Sequence, residues 1–198
     1  MSSQPFQERK YLRLKHFDYS LSGAYFMTIC TSNRDVYFEK YPHLQKIVHR
    51  FWNDLEMKFP MVKLDEFVIM PNHVHGIIFI IGRDDLRGVG AIPRQRRDVP
   101  HESPLPNRRN MLLSKVVGYF KMNTAKHINQ ILNRSGQPFW QRNYYEHVVR
   151  NDAELLRIRM YIQNNPLKWE LDRDNPKSRN YDLDHDSYWK EVYCRGNS

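Results

Sequence analysis

The sequence predicts an α+β fold: a ferredoxin-like antiparallel sheet in the order β-α-β-β-α-β, extended by one C-terminal helix. Three observations carry this. Short β-branched and aromatic runs alternate with longer stretches whose apolar residues recur at helical spacing. Two of the strand-like runs are joined only by a tight Pro71-Asn72 connection. A last amphipathic stretch then follows the fourth strand-like run, which is one helix more than the basic motif needs.

Taken in order, Ala24 to Thr31 (AYFMTICT) reads as the first strand. Tyr41 to Lys58 places Leu44, Ile47, Val48, Phe51, Trp52 and Leu55 on one helical face, and Pro60 closes it. Val62 to Met70 and His73 to Ile81 read as the second and third strands. Gly82 to about Asn110 is rich in Gly, Pro and Arg without a sustained period, and reads as a flexible basic insertion. Met111 to about Arg134 is helical through Leu112, Val116, Phe120, Ile128 and Leu132, until Ser135-Gly136-Gln137-Pro138 breaks it. Phe139 to Val149 contains the fourth strand. Asn151 then offers an N-cap with Glu154 three residues on, a capping-box pattern. Leu155, Leu156, Ile158 and Ile162 follow, and Pro166 ends the helix. From about residue 170 the chain turns polar and reads as a surface-hugging tail. A single domain over residues 1–198 is expected.

Composition narrows the function. No run reaches the length of a membrane span, and the N-terminus is basic and aromatic with no apolar signal core. Cys30 and Cys194 offer no disulfide framework and no thiolate metal spacing, so a reducing cytoplasm is expected. A net charge of +9 favours polyanionic partners, chiefly nucleic acid. Aromatics interleaved with cations, as in YLRLKHF, GYFK and WQRNYY, suit unstacked bases. The same pattern also fits core aromatics beside a solvated basic face.

The stretch MPNHVHGIIFII opens the most apolar run of the chain with two histidines. Residues i and i+2 of a strand share a face, so His73 and His75 project side by side. They are either two polar residues at a strand's exposed mouth or half of a metal site. In YIQNNP, Tyr161 and Asn165 stand one helical turn apart. Facing the histidines, they would add an amide oxygen to the metal shell and a nucleophile beside it. A divalent metal on two imidazoles and an amide leaves positions open for phosphate oxygens. A tyrosine hydroxyl can then form a phosphotyrosyl ester that a 3′-hydroxyl later reverses. The alternative is a half-buried core tyrosine and an asparagine engaged in turn chemistry before Pro166.

The ordered set SGAYFMTICT, MPNHVHGI, VVGYFKMNTAKHIN, FWQRNYYEHVVRN and YIQNNPLKW resembles the REP-associated tyrosine transposases. These are single-tyrosine transposases of the HUH superfamily, named for histidine-hydrophobic-histidine. The resemblance spans roughly Arg9 to Trp169. It implies His73 and His75 as ligands of Mg²⁺ or Mn²⁺, Tyr161 as nucleophile and Asn165 as a further metal ligand. It also implies cleavage and rejoining of single-stranded DNA near hairpins through a 5′-phosphotyrosine, on repetitive palindromes or transposon ends. The protein would act as a monomer or a homodimer. Lys115, Lys121, Arg142 and Arg150 are candidate DNA contacts, each equally readable as a solvated cation, and His147 could position substrate or metal. Two other readings stay open: a hairpin-binding regulator without turnover, and a metal-dependent nuclease that uses water.

Overall fold

The computed structural model describes residues 19, 21–82 and 111–178. The basic N-terminal stretch, the insertion beyond Gly82 and the tail beyond Ser178 lie outside them. Four strands form one sheet: β1 (Gly23–Cys30), β2 (Val62–Met70), β3 (His73–Ile80) and β4 (Tyr145–Val149). Their order is β2-β3-β1-β4, and every neighbouring pair is antiparallel. This is the ferredoxin-like order, in which β3 slots between β1 and β2. The helices are α1 (Tyr37–Lys40), α2 (Gln45–Lys58), α3 (Leu112–Ile131) and α4 (Asp152–Asn164).

The two central strands read as continuous apolar runs because both of their faces are covered. On one face Tyr25, Met27 and Ile29 of β1 and Val74, Ile78 and Ile80 of β3 join α2 and α3 in a single core cluster. Helix α2 contributes Val48, Phe51, Trp52 and Leu55, an i, i+3, i+4, i+7 stripe. Helix α3 contributes Leu113, Val116, Val117, Phe120 and Ile128. Burying one such side chain contributes about 1.5–3 kcal/mol. Trp52 stacks on Phe67 at 4.2 Å, directly over Gly76. A Cβ at position 76 would lie 2.9 Å from Trp52 Cζ2 and nearer still to Cη2. The glycine that follows the second histidine is therefore set by packing of the large core.

The other face is smaller. Ala24, Phe26, Ile77 and Val149 pack against Leu155, Ile158 and Ile162 of α4. Two polar devices fix the pose of that helix. At its start, Asn151 Oδ1 accepts from Glu154 N at 2.9 Å, as the capping pattern predicts. The return arm differs from a capping box. Glu154 Oε2 accepts from Arg150 N at 2.6 Å, and Oε1 lies 2.9 Å from His147 Nε2. Burial works against the Glu154 charge, but the His147 and Arg150 hydrogen bonds prevail and hold its carboxyl below the usual range.

The second device sits further along. The β2–β3 register shifts between Leu64 and Phe67, and the two residues inside that irregularity reach α4. Arg159 Nε and Nη2 both lie 2.7 Å from Asp65 Oδ2. Gln163 Nε2 donates to Glu66 Oε1 at 2.8 Å. Arg159 and Gln163 are one turn apart and straddle Tyr161, so the bulge clamps the helix around that position.

Two expectations need correction and one gains its bounds. The helix anticipated from Tyr41 begins at Gln45, because Tyr37–Lys40 forms α1 and Pro42–Leu44 a separate 3₁₀ turn; proline belongs in a first turn, not an interior. The fourth strand lies inside the expected Phe139–Val149 stretch, at Tyr145–Val149. Phe139 and Trp140 instead turn into the core, with Trp140 bridging to Thr31. The polar segment after Leu171 does not hug the surface: Asp172, Arg173, Asp174, Asn175 and Ser178 are buried.

Candidate metal centre and tyrosine

His73 and His75 start β3 on the face that carries α4, in register with Cys30 and Thr28 of β1. Both are fully buried, which excludes two polar residues at an exposed mouth. Their Nε2 atoms converge to 2.9 Å. Each Nδ1 has its own partner. His73 Nδ1 lies 2.8 Å from Asn72 Oδ1, and His75 Nδ1 lies 2.8 Å from Thr28 Oγ1.

These contacts constrain the tautomers. Asn72 Nδ2 donates to the carbonyls of Arg34 (3.0 Å) and Asp174 (2.7 Å), so Oδ1 is its accepting end. His73 Nδ1 must then carry the hydrogen, and a neutral His73 aims the lone pair of Nε2 into the site. Thr28 can donate or accept by rotating its hydroxyl. It can serve His75 both when Nε2 is protonated toward His73 and when that lone pair is free. Burial, then the neighbouring His73 charge, pushes His75 well below the ordinary histidine range, so it stays neutral and ready to donate an electron pair.

Asp172 is a third donor that sequence reasoning missed. Its Oδ2 lies 3.9 Å from His73 Nε2, and ligand atoms of His73, His75 and Asp172 all fall within 4.8 Å of one another. Oδ1 accepts from Asp174 N at 2.6 Å, while Oδ2 is buried with no hydrogen-bond partner. Burial raises the Asp172 carboxyl above its usual range, against the lowering pull of His73. An orphaned buried carboxylate oxygen beside two imidazole lone pairs is an unfavourable arrangement unless a cation joins them. Two ligands at right angles with bonds of about 2.1 Å sit about 3 Å apart, close to the observed imidazole separation. The residues present therefore fit a small divalent ion. The signal available in the sequence was DRDNP: Asp172 and Asn175 each accept from the backbone two residues on, the Asx geometry of an ordered turn.

Tyr161, on α4, is half-buried. Its hydroxyl lies 3.3 Å from His75 Nε2, and its ring meets Phe26 edge-on at 6.2 Å. Asn165 is buried one turn on, and its Nδ2 has no hydrogen-bond partner.

The candidate DNA contacts scatter. Lys115 and Lys121 belong to α3, whose core packs on the opposite face of the sheet from α4. Lys121 Nζ donates to the carbonyls of Gln141 (2.7 Å) and Arg142 (2.9 Å), so it buttresses the approach to β4. The Lys115, Arg142 and Arg150 side chains are exposed, with Arg150 where β4 passes into α4. His147 is engaged with Glu154 and is not part of the histidine–aspartate group.

A His-hydrophobic-His strand and a tyrosine helix packed on one face of an antiparallel sheet bring two imidazoles and a phenol together. The comparisons with known proteins add a family profile and a shared fold. The sequence profile of the family "Transposase IS200 like" matches residues 106–165. An uncharacterized protein of Haemophilus influenzae strain Rd is 38% identical over 173 residues, covering 83% of this chain and 92% of that protein. A solved structure of a REP-associated tyrosine transposase bound to a REP hairpin shares the fold, with a TM-score of 0.51 and 18% identity. That match covers 79% of this chain and 73% of the other. Part of the chain thus matches the IS200-like transposase profile, and its fold is that of a REP-associated tyrosine transposase. No helix among the described residues is long and apolar enough to cross a membrane.

Proposed function

We propose that the protein cleaves and rejoins single-stranded DNA beside hairpins, with Tyr161 as the nucleophile and His73, His75 and Asp172 holding a divalent metal. The observation that carries this reading is the Tyr161 hydroxyl, 3.3 Å from His75 Nε2 at the edge of the three-donor group. When bound, Mn²⁺ or Mg²⁺ would draw charge from the scissile phosphate. The mixed nitrogen and oxygen donors suit Mn²⁺ better than Mg²⁺, which favours oxygen shells. Asn165, buried one turn beyond Tyr161, would add its amide oxygen to the same shell, as the resemblance implies.

The chain's own part is orientation. Asn72 and Thr28 fix the imidazole rings through their far nitrogens. The Asp65 and Glu66 clamp and the Glu154 cap hold α4 so that the phenol faces the phosphate. In the step, the Tyr161 oxygen forms a bond to phosphorus and the bond from phosphorus to the 3′-oxygen breaks. The phenolic proton is lost and the leaving 3′-oxygen gains one. The phosphotyrosine keeps the bond energy, so a 3′-hydroxyl reverses the step without a nucleotide cofactor. A DNA hairpin as partner is supported by the hairpin bound to the structural neighbour and by the net charge of +9.

The test mixes the purified full chain with labelled single-stranded hairpin oligonucleotides and Mn²⁺ or Mg²⁺. A protein–DNA adduct that survives denaturing electrophoresis is expected, and it should vanish with a chelator and in Tyr161→Phe. Cleaved DNA with no adduct would replace this reading by a water-using nuclease. Hairpin binding without cleavage would replace it by a regulator.

A further inference from the structure

Beside the metal centre the chain forms a cleft of about 1060 Å³ between residues 33–39 and residues 169–177. We propose that this cleft is a nucleobase subsite, which stacks an amino-bearing base next to the scissile phosphate on Trp169. The inference rests on the strand-transfer reading for its position, and on the cleft alone for its chemistry.

Position comes first. The Trp169 ring lies 6.0 Å from the His73 ring, so a base resting there belongs to a nucleotide flanking the reacting phosphate. Both walls are tied to one residue of the centre: Asn72, the partner of His73, also holds the Arg34 and Asp174 carbonyls. An ion pair from Arg34 to Asp174 at 3.2 Å, largely shielded from solvent, joins the walls a second time. Arg34 and Asn33 both adopt left-handed backbone, φ 56°, which turns the chain sharply at that wall. Both walls of the cleft are thus tied to the same asparagine and to each other.

The lining selects the ligand. Asp35, Glu39 and Glu170 outnumber Arg34 and Lys177, and Arg34 is already paired with Asp174. Such a lining repels a run of phosphates. Carboxylates do accept from the exocyclic amines of cytosine and adenine and from the N–H edge of guanine. The flat indole supplies the stacking face, which serves any base. At about 1060 Å³ the cleft slightly exceeds the usual size of small-ligand sites, so a base fits with room for its sugar. Thymine, without an amino group, is the base that fits least.

The experiment uses the full chain carrying Tyr161→Phe, so that nothing turns over, and hairpin oligonucleotides with 2-aminopurine walked along each single-stranded flank. One or two adjacent positions are expected to show quenched fluorescence. That quenching should disappear when Trp169→Ala is added, with about tenfold weaker binding of the flanked oligonucleotide. Replacing the amino-bearing base there by thymine should weaken binding several-fold, and Asp35→Asn with Glu170→Gln, both exposed positions, should erase that preference. Quenching that persists without Trp169, or no quenched position at all, overturns the proposal. Because no cleavage is needed, an adduct in the wild type without quenching sinks only the subsite. Quenching without any adduct keeps the subsite and sinks the strand-transfer reading.

Discussion

The two faces of the sheet divide their work. The face under α2 and α3 buries large side chains almost without polar interruption, from Tyr25 and Phe120 to Trp52 and Leu55. The face under α4 buries fewer apolar groups and places His73, His75, Thr28 and Asp172 among them. One strand, β3, serves both, since alternate residues point to opposite sides. The difference teaches where tolerance lies. The large core anchors the sheet, and the small face carries buried polar groups whose desolvation a metal would relieve.

Mutation should separate the two. Leu55→Ala empties a fully buried position of the large core and is expected to cost about 2–5 kcal/mol in urea unfolding. It should leave Mn²⁺ affinity unchanged at temperatures where the protein stays folded. Asp172→Asn should do the reverse. Mn²⁺ affinity measured by calorimetry is expected to fall about a hundredfold, while the metal-free protein melts at the same or a higher temperature, because a buried charge has been removed. An Asp172→Asn protein that binds Mn²⁺ as well as the wild type would remove Asp172 from the centre.

A smaller effect sharpens the role of the clamp. Asp65→Asn leaves Arg159 without its carboxylate partner at a partly exposed site, so the stability loss should be below about 1 kcal/mol. On the proposed reading adduct formation should slow by several-fold with hairpin affinity unchanged, because the clamp acts on the pose of α4. Equal losses in rate and affinity would assign the pair a different role.

The mildest test is pH. The Glu154 carboxyl is held below its unfolded value by His147 and the Arg150 amide despite its burial. Its contribution is present above the unfolded value, near pH 4–4.5, and is lost as pH falls through the lower folded one. Glu154→Gln should flatten this part of the stability profile in acid titrations and leave the profile near neutrality parallel to the wild type.

Much of this architecture was legible in the sequence for definite reasons. The span of β2 follows from its β-branched and aromatic run between Pro60 and Pro71. Alternation put both histidines on one face, and the Asn151 cap was readable three residues ahead of Glu154. Asp172 was hidden because hydropathy reads DRDN as a solvated run, whereas Asn72, Arg34 and local backbone amides satisfy that segment as it buries. Lys121 was hidden for the converse reason: a lysine that binds carbonyls looks, in sequence, like one that binds phosphate.

Asn72 joins segments far apart in the chain: Arg34 lies 38 residues before it and Asp174 102 residues after it. During synthesis the histidine pair is made early, the tyrosine later, and Asp172 after both. A nascent chain can pair its first three strands while the third donor is still inside the ribosome. On the proposed reading, cutting competence arrives only when nearly all of the described fold has emerged, so a translation product stalled before Asp172 would be a folded sheet with an incomplete blade.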